Sequence, residues 1–176
     1  MIKADTDVLV AGAGPAGLAA ALAMAHVGFN VALAAPPPPA GNSRPDTRTT
    51  ALFGGSIELL RHLGVWPVLE PDAEPLVGLR LIDDTGSLLR APETLFAAGE
   101  LGLPTFGYNV ENMTLNSALA GVMAERGVRR IDGCVNCIDL TTEPDCAIAE
   151  LTTTSGTEII RCRLVIGADG RNSACR

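Results

Sequence analysis

Basic side chains are scarce in this chain: 13 Lys and Arg stand against 20 Asp and Glu, a net charge of −7. That balance argues against nucleic acid or an anionic membrane face as a main partner, because both reward clustered cations. There are only two histidines, His26 and His62, and both fall in expected helix-surface positions far upstream of the cysteines. Of five cysteines only Cys134 and Cys137 have ligand-like spacing, and no second pair answers them, so no metal site is expected. Cys134, Cys137, Cys146, Cys162 and Cys175 are read as small apolar residues of a reducing compartment. No Asp, Glu, Lys or Arg occurs from Val8 through Ser43. A membrane span or a signal peptide could be that uncharged. Here Gly12, Gly14, Pro15, Gly17 and Gly28 interrupt the run at turn positions, and one Lys and two Asp precede it, which disfavours both.

What is present suits an α/β domain. The 176 residues are enough for one ordinary domain with a sizeable core, and 47% are apolar, as a sheet covered on both faces requires. Asp7 to Ala11 is a short apolar run, the expected first buried strand. It ends in Gly12-Ala13-Gly14-Pro15-Ala16-Gly17, and an Ala/Leu/Met-rich helix from Leu18 to Val27 closes at Gly28. Val31 to Ala35 is a second apolar strand. Strand, glycine turn, helix and strand within about thirty residues form the dinucleotide-grasp pattern. Gly14 lets the backbone approach a pyrophosphate, Gly17 lets the helix pack on the strand, and free amides at the helix start face the anion.

Further along, Pro36-Pro37-Pro38-Pro39 can neither extend a ladder nor enter a helix beyond its first turn, so a loop is expected through Thr50. A helix is predicted over Ser56–His62, ended by Gly64. Val77–Ile82 and Leu88–Ala91 around Asp84-Thr85-Gly86 read as an antiparallel hairpin, the start of a second structural unit. Asn112 can cap a helix through Arg126 with Leu115, Leu119, Val122 and Met123 on one stripe. Short strands follow near Val128–Ile131, Val135–Leu140, Ala147–Thr153 and Arg163–Ala168, with a turn at Ser155-Gly156. The last of these runs into Gly167-Ala168-Asp169-Gly170 and polar residues able to start a helix, which places a carboxylate and flexible backbone at the carboxyl edge of the sheet.

The glycine turn and the Asp169-Gly170 segment together resemble the single-component, flavin-dependent aromatic hydroxylases, in particular their ubiquinone-biosynthesis branch. Three more stretches are similar to that branch: Asp46-Thr47-Arg48-Thr49-Thr50-Ala51-Leu52, Leu60-Arg61-His62-Leu63-Gly64-Val65-Trp66, and Phe106-Gly107-Tyr108-Asn109-Val110-Glu111-Asn112. The resemblance implies a Rossmann-like FAD-binding domain of the p-hydroxybenzoate-hydroxylase type. Residues 1–75 and 109–176 would form that domain, and 76–108 the first part of an antiparallel substrate domain. It also implies a truncated chain, because the family continues to a later Gly-Asp motif that holds the flavin. The implied activity is monooxygenation of a small aromatic ring, such as a polyprenylated ubiquinone precursor, with FAD as cofactor and NAD(P)H and dioxygen as co-substrates. A cytoplasmic location, with peripheral contact to the inner membrane, follows from such a substrate.

Residue by residue, Gly12, Ala13, Gly14, Pro15, Ala16 and Gly17 match the turn that cradles the FAD pyrophosphate. Arg48 matches the arginine of a loop lying along the flavin, and Asp169 and Gly170 match the motif implicated in FAD and NAD(P)H binding. Each has a plainer reading: Arg48 as a solvated loop charge, Asp169 as the cap of a following helix, Asn112 as a cap, and Trp66 and Tyr108 as packing residues with a polar tip. No catalytic acid or base is assigned, since neither Ser173 nor any cysteine has a paired general base in the sequence. One departure concerns the second strand, which should end in an Asp or Glu for the adenosine ribose and instead ends Ala34-Ala35-Pro36. Backbone or Asp46 could take that role, and an absent acid with Arg44 and Arg48 behind it also suits a 2′-phosphate, the pattern of an NADP-dependent enzyme. Another reaction on the same flavoprotein fold and a catalytically silent nucleotide-binding module are the remaining alternatives.

Overall fold

The computed structural model describes residues 4–37, 46–88, 90–143 and 145–176. In chain order its elements are β1 (Thr6–Ala11), α1 (Pro15–His26), β2 (Val31–Ala35), β3 (Thr49–Phe53), α2 (Gly54–His62), α3 (Trp66–Leu69), β4 (Glu74–Pro75), β5 (Gly78–Leu81), β6 (Thr94–Ala97), β7 (Gly107–Glu111), α4 (Asn112–Glu125), β8 (Arg129–Asp139), β9 (Ala147–Thr153) and β10 (Gly156–Gly167). Packing divides them into two compact units, Met1–Asp46 with Leu115–Arg176, and Thr47–Thr114.

The first unit is a ring of five strands in the order β1-β10-β9-β8-β2, closed by β2 on β1. Two long strands make the closure possible. The first residues of β8 pair with β2 in parallel, Ala32 with Arg129 through Ala35 with Asp132, and from Gly133 onward β8 pairs with β9 antiparallel. Likewise β10 runs antiparallel to β9 up to Cys162 and parallel to β1 from there to Gly167. Beyond the switch, a bulge between Val135 and Cys137 interrupts the β8–β9 ladder. Gly133 sits at the switch, where a Cβ would lie 2.8 Å from the Thr152 carbonyl oxygen.

Alternating side chains of the ring strands fill its interior. Leu9 and Ala11 of β1, Ala32 and Ala34 of β2, Ile131 of β8 and Leu151 of β9 belong to one buried cluster with Ile160 and Cys162. Helix α1 packs on β1, β2 and β10 through buried Gly17, Leu18, Ala21 and Leu22. With both faces covered, all five residues of β2 are buried, which explains its unbroken apolar sequence. The Gly28 amide donates to the Ala25 carbonyl at 3.0 Å, and Gly28 adopts φ +94, a left-handed ending that glycine enters without strain.

The second unit holds an antiparallel sheet β3-β7-β4 and the two-stranded pair β5-β6. Its buried residues include Leu52, Ile57, Leu60, Leu63, Val65 and Val110. Trp66 is buried and meets the Tyr108 ring edge-on at 5.2 Å, with the Arg61 guanidinium 5.6 Å from the Trp66 ring centre.

Several elements differ from the sequence expectation. The loop expected through Thr50 gives way at Thr49 to β3, because this stretch finds a ladder on β7, with Thr50 opposite Val110. Helix α2 begins at Gly54, two residues before Ser56. The hairpin partner of β5 is Thr94–Ala97 rather than Leu88–Ala91. Asp83 accounts for the longer connection: its carboxylate accepts the Thr85 and Ala91 amides at 3.1 and 2.9 Å. The two strands expected around Gly133 are one, and the strand expected from Arg163 starts at Gly156. No helix follows Asp169 among the described residues; 171–172 and 174–175 are turns. Cys134 and Cys137 are exposed rather than packed, and Cys162 is buried. Arg44 and residues 38–39 of the proline run lie outside the described residues. No described helix is long and apolar enough to cross a membrane.

Leu9 is fully buried at the centre of the ring, so Leu9→Ala is expected to lower stability by about 2–5 kcal/mol. Urea unfolding with unchanged slope measures this, and a loss below about 1 kcal/mol would contradict the packing described.

Candidate functional site

At the carboxyl ends of β1, β2 and the parallel half of β10, the first unit opens into a cleft of about 450 Å³. Its walls include Gly12, Ala13, Gly14, Ala35, Asp169 and Gly170. Ligands of open α/β sheets bind at this edge. Of the residues singled out in the sequence, the glycine turn and the Asp169-Gly170 pair are therefore brought together on one cleft, although more than 150 positions separate them in the chain. Arg48 belongs to the second unit, where its carbonyl accepts the Asn112 amide at 3.0 Å.

The three glycines of the turn do different work. Gly12 has φ +109, and a Cβ there would lie 2.2 Å from the Ala168 carbonyl oxygen. Gly17 lies so close to the turn that a Cβ would be 2.0 Å from the Gly12 carbonyl oxygen. Both are required by the fold itself. Gly14 is different. It is the N-cap of α1, with φ −73 and ψ 175, a conformation open to any residue, and a Cβ there would meet nothing within 4 Å. Among the described residues, nothing fills the space beside Gly14.

That space lies at the amino end of a twelve-residue helix. Pro15 occupies the first turn, no side chain caps it, and no acidic residue lies in it. The amides of Ala16 and Gly17 precede the first intrahelical donor, since the α1 ladder begins with the Leu18 amide donating to the Gly14 carbonyl at 3.0 Å. Uncapped amides, a helix dipole and an open backbone suit an anion that comes as close as a diphosphate must.

Asp169 is held from the other side. The Ser173 hydroxyl keeps its carboxyl well below the usual carboxylate range, at about 2, aided by the Ala174 and Cys175 amides, which donate to Oδ2 at 2.8 and 3.2 Å. The same contact raises Cys175: burial comes first and the Asp169 charge second, and its thiol is pushed up to about 11. Asp169 thus caps a turn, bonding amides five and six residues on, where a helix cap would bond those two or three on. Gly170 beside it has φ +81. A larger cleft of about 860 Å³ adjoins this segment, sharing Asp169 and Gly170 but none of the glycine turn. The turn carries the chemistry of anion recognition, so the smaller cleft is the better candidate.

Sequence reasoning missed the β8 contribution to this cleft. Gly133, Cys134 and Val135 line it, and only the switch of β8 from β2 to β9 brings them there. Among the described residues no group of three or more His, Cys, Asp or Glu side chains could hold a metal.

The sequence profile of the family described as "FAD binding domain" matches residues 5–176. A 3-demethoxyubiquinol 3-hydroxylase of Escherichia coli (strain K12) is 35% identical over the whole of this chain and 44% of its own length. The ubiquinone hydroxylase UbiL of Rhodospirillum rubrum is 28% identical over 97% of this chain and 38% of its own length. The chain therefore spans less than half of these relatives. Among solved structures, OxyS anhydrotetracycline hydroxylase from Streptomyces rimosus superposes with a TM-score of 0.77 at 21% identity, over 97% of this chain and 33% of its own. Aklavinone-11 hydroxylase, in a ternary complex with FAD and aklavinone, superposes at 0.74 and 24% identity, over 98% and 34%. At these identities the superpositions show the fold.

Two predictions follow from this geometry. Gly17→Ala is expected to destabilise the fold by about 1–3 kcal/mol or more, because a backbone carbonyl blocks the new Cβ, while Gly14→Ala shifts the urea midpoint little. Equal losses would contradict the division of roles. Asp169 is depressed in the fold, so its contribution is present above about pH 4 and is lost as pH falls from there through about 2. The protection factors for hydrogen exchange at the Ala174 and Cys175 amides are expected to fall over that window in the wild type, and to be low and flat across it in Asp169→Asn.

Proposed function

The chain belongs to the FAD-binding-domain family, and from that premise we propose that its glycine turn holds the diphosphate of FAD in a monooxygenase that hydroxylates an aromatic ring. The observation that carries this reading is the open side of Gly14 at an uncapped helix start. The fold accounts for Gly12 and Gly17 by itself, but a ligand is what accounts for Gly14. Residues 12–17 would hold the diphosphate by backbone amides, and Asp169 and Gly170 would bound the same cleft. The resemblance gives Arg48 a place along the flavin.

FAD when bound supplies the redox chemistry, passing two electrons from NAD(P)H to dioxygen so that one oxygen atom enters the ring and the other leaves as water. The protein's share is to bind, orient and exclude water. The Asp169 carboxylate, ionised at neutral pH and fixed by three donors, is too weak a base to take a proton from a phenol or an amine, so its part is to shape the loop. The relatives are named as ubiquinol and ubiquinone hydroxylases, which supports a ubiquinone precursor as substrate for the whole protein. A polyprenyl tail on such a substrate would bring the protein to a membrane surface as a peripheral visitor.

The test is retention of flavin. The full chain reconstituted with FAD is expected to be yellow after desalting and to quench flavin fluorescence on titration. Gly14→Val places a branched side chain where the diphosphate approaches, and is expected to weaken FAD at least about 100-fold, near 3 kcal/mol, with far-UV circular dichroism unchanged. Arg48→Ala removes one charge-assisted contact without adding a clash and should cost about tenfold. Gly14→Val that retains flavin like the wild type would overturn the assignment.

A further inference from the structure

Strand β2 ends in Ala35-Pro36, without the carboxylate that normally receives the ribose hydroxyls of an adenine dinucleotide. We infer that Asp132 of β8 supplies that carboxylate from the neighbouring strand, so that the acceptor for the adenosine ribose has moved across the sheet. The inference rests on the reading that a dinucleotide occupies the glycine-turn cleft.

The register carries the argument. β2 and β8 are parallel, and Ala35 pairs with Asp132, so the two side chains emerge on the same face at the same height. Ala35 lines the cleft, as do Pro36 on one side and Gly133 and Cys134 on the other. Asp132 is not itself in that lining; it stands opposite Ala35 and one residue before Gly133, next to the wall. A second contact ties it to the end of β2. Arg130 Nε donates to Asp132 Oδ1 at 3.0 Å, and an Arg130 terminal nitrogen donates to the Pro36 carbonyl at 3.1 Å. Arg130 thereby bridges the carboxylate to a carbonyl of the cleft wall. The Asp132 side chain is 55% exposed against 32% for Arg130, so its second oxygen is open to a ligand from outside. It also borders a smaller cleft of about 240 Å³ with Arg129, Arg130 and Thr153. A carboxylate with one oxygen held by a guanidinium and the other open suits a ribose diol, which needs acceptors for two hydroxyl protons.

The Arg130 guanidinium beside Asp132 raises one opposing chemistry: a 2′-phosphate on the ribose would seek Arg130 and be repelled by Asp132. Because Asp132 already neutralises Arg130, the diol is the better match.

Isothermal titration of the full chain with ADP, 2′-deoxy-ADP and 2′,5′-ADP tests this, alongside FAD titration followed by fluorescence. The wild type is expected to bind ADP about tenfold more tightly than 2′-deoxy-ADP, the scale of one charge-assisted hydrogen bond. Asp132→Ala should weaken ADP and FAD by about that factor and leave 2′-deoxy-ADP nearly unchanged, so that the preference collapses to near one. Arg130→Gln, which keeps the carboxylate, should retain most of the preference. A preference that survives Asp132→Ala overturns the inference while leaving the dinucleotide reading in place, and so does tighter binding of 2′,5′-ADP than of ADP. A wild type that binds neither ADP nor FAD overturns both.

Discussion

The close approach of α1 to the sheet at Gly12 and Gly17 is the contact on which the rest of this structure depends. Two backbone carbonyls, those of Gly12 and Ala168, occupy the volume that side chains would take at Gly17 and Gly12. The Ala168 amide in turn donates to the Ala11 carbonyl at 2.7 Å, and the Gly12 amide to the Ala34 carbonyl at 2.7 Å. Strand β1, its turn, the end of β10 and the start of α1 are thereby fixed at one point. That point is the carboxyl edge of the parallel strands, so the helix amides and the cleft coincide by construction. Gly14, at the apex of the same turn, is the one glycine of the three where an added Cβ would meet nothing among the described residues.

The ring of strands gives the site its second wall. Because β8 and β10 each serve two partners, residues far apart in the chain converge at this edge: Ala35 from β2, Gly133 and Cys134 from β8, and Asp169 just beyond β10. The absence of an acid at the end of β2 becomes intelligible in that setting. A strand that starts beside β2 and departs toward β9 can bring its own Asp132 to the place where β2 lacks one.

Much of this was legible in the sequence where local chemistry decides the outcome. Asp7–Ala11, Val31–Ala35 and Ala147–Thr153 read as strands because apolar runs of that length have few other uses, and all three are strands, with the first extended by one residue. That the glycine turn and Asp169-Gly170 would meet at one sheet edge was legible because each sits at the end of such a run, and both line one cleft. What escaped was set by distant partners. Thr49–Phe53 is a strand because β7 is available to pair with it, and the partner of β5 is Thr94–Ala97, beyond the Ala91 amide that Asp83 holds; Leu89 of the expected Leu88–Ala91 strand lies outside the described residues. The fusion of two expected strands into β8 depends on the change of partner at Gly133, from β2 to β9, which composition does not announce. Asp132 was silent for the same reason, since its meaning comes from standing next to Ala35 rather than from anything near it in sequence.

The central claim is that the amino end of α1 grips a diphosphate. Amide chemical-shift mapping of the ¹⁵N-labelled chain during titration with FAD addresses it residue by residue. The account predicts the largest shifts at the backbone amides of Ala13, Gly14, Ala16 and Gly17, saturating with the flavin. Shifts concentrated elsewhere, with these four amides unmoved at saturation, would contradict it.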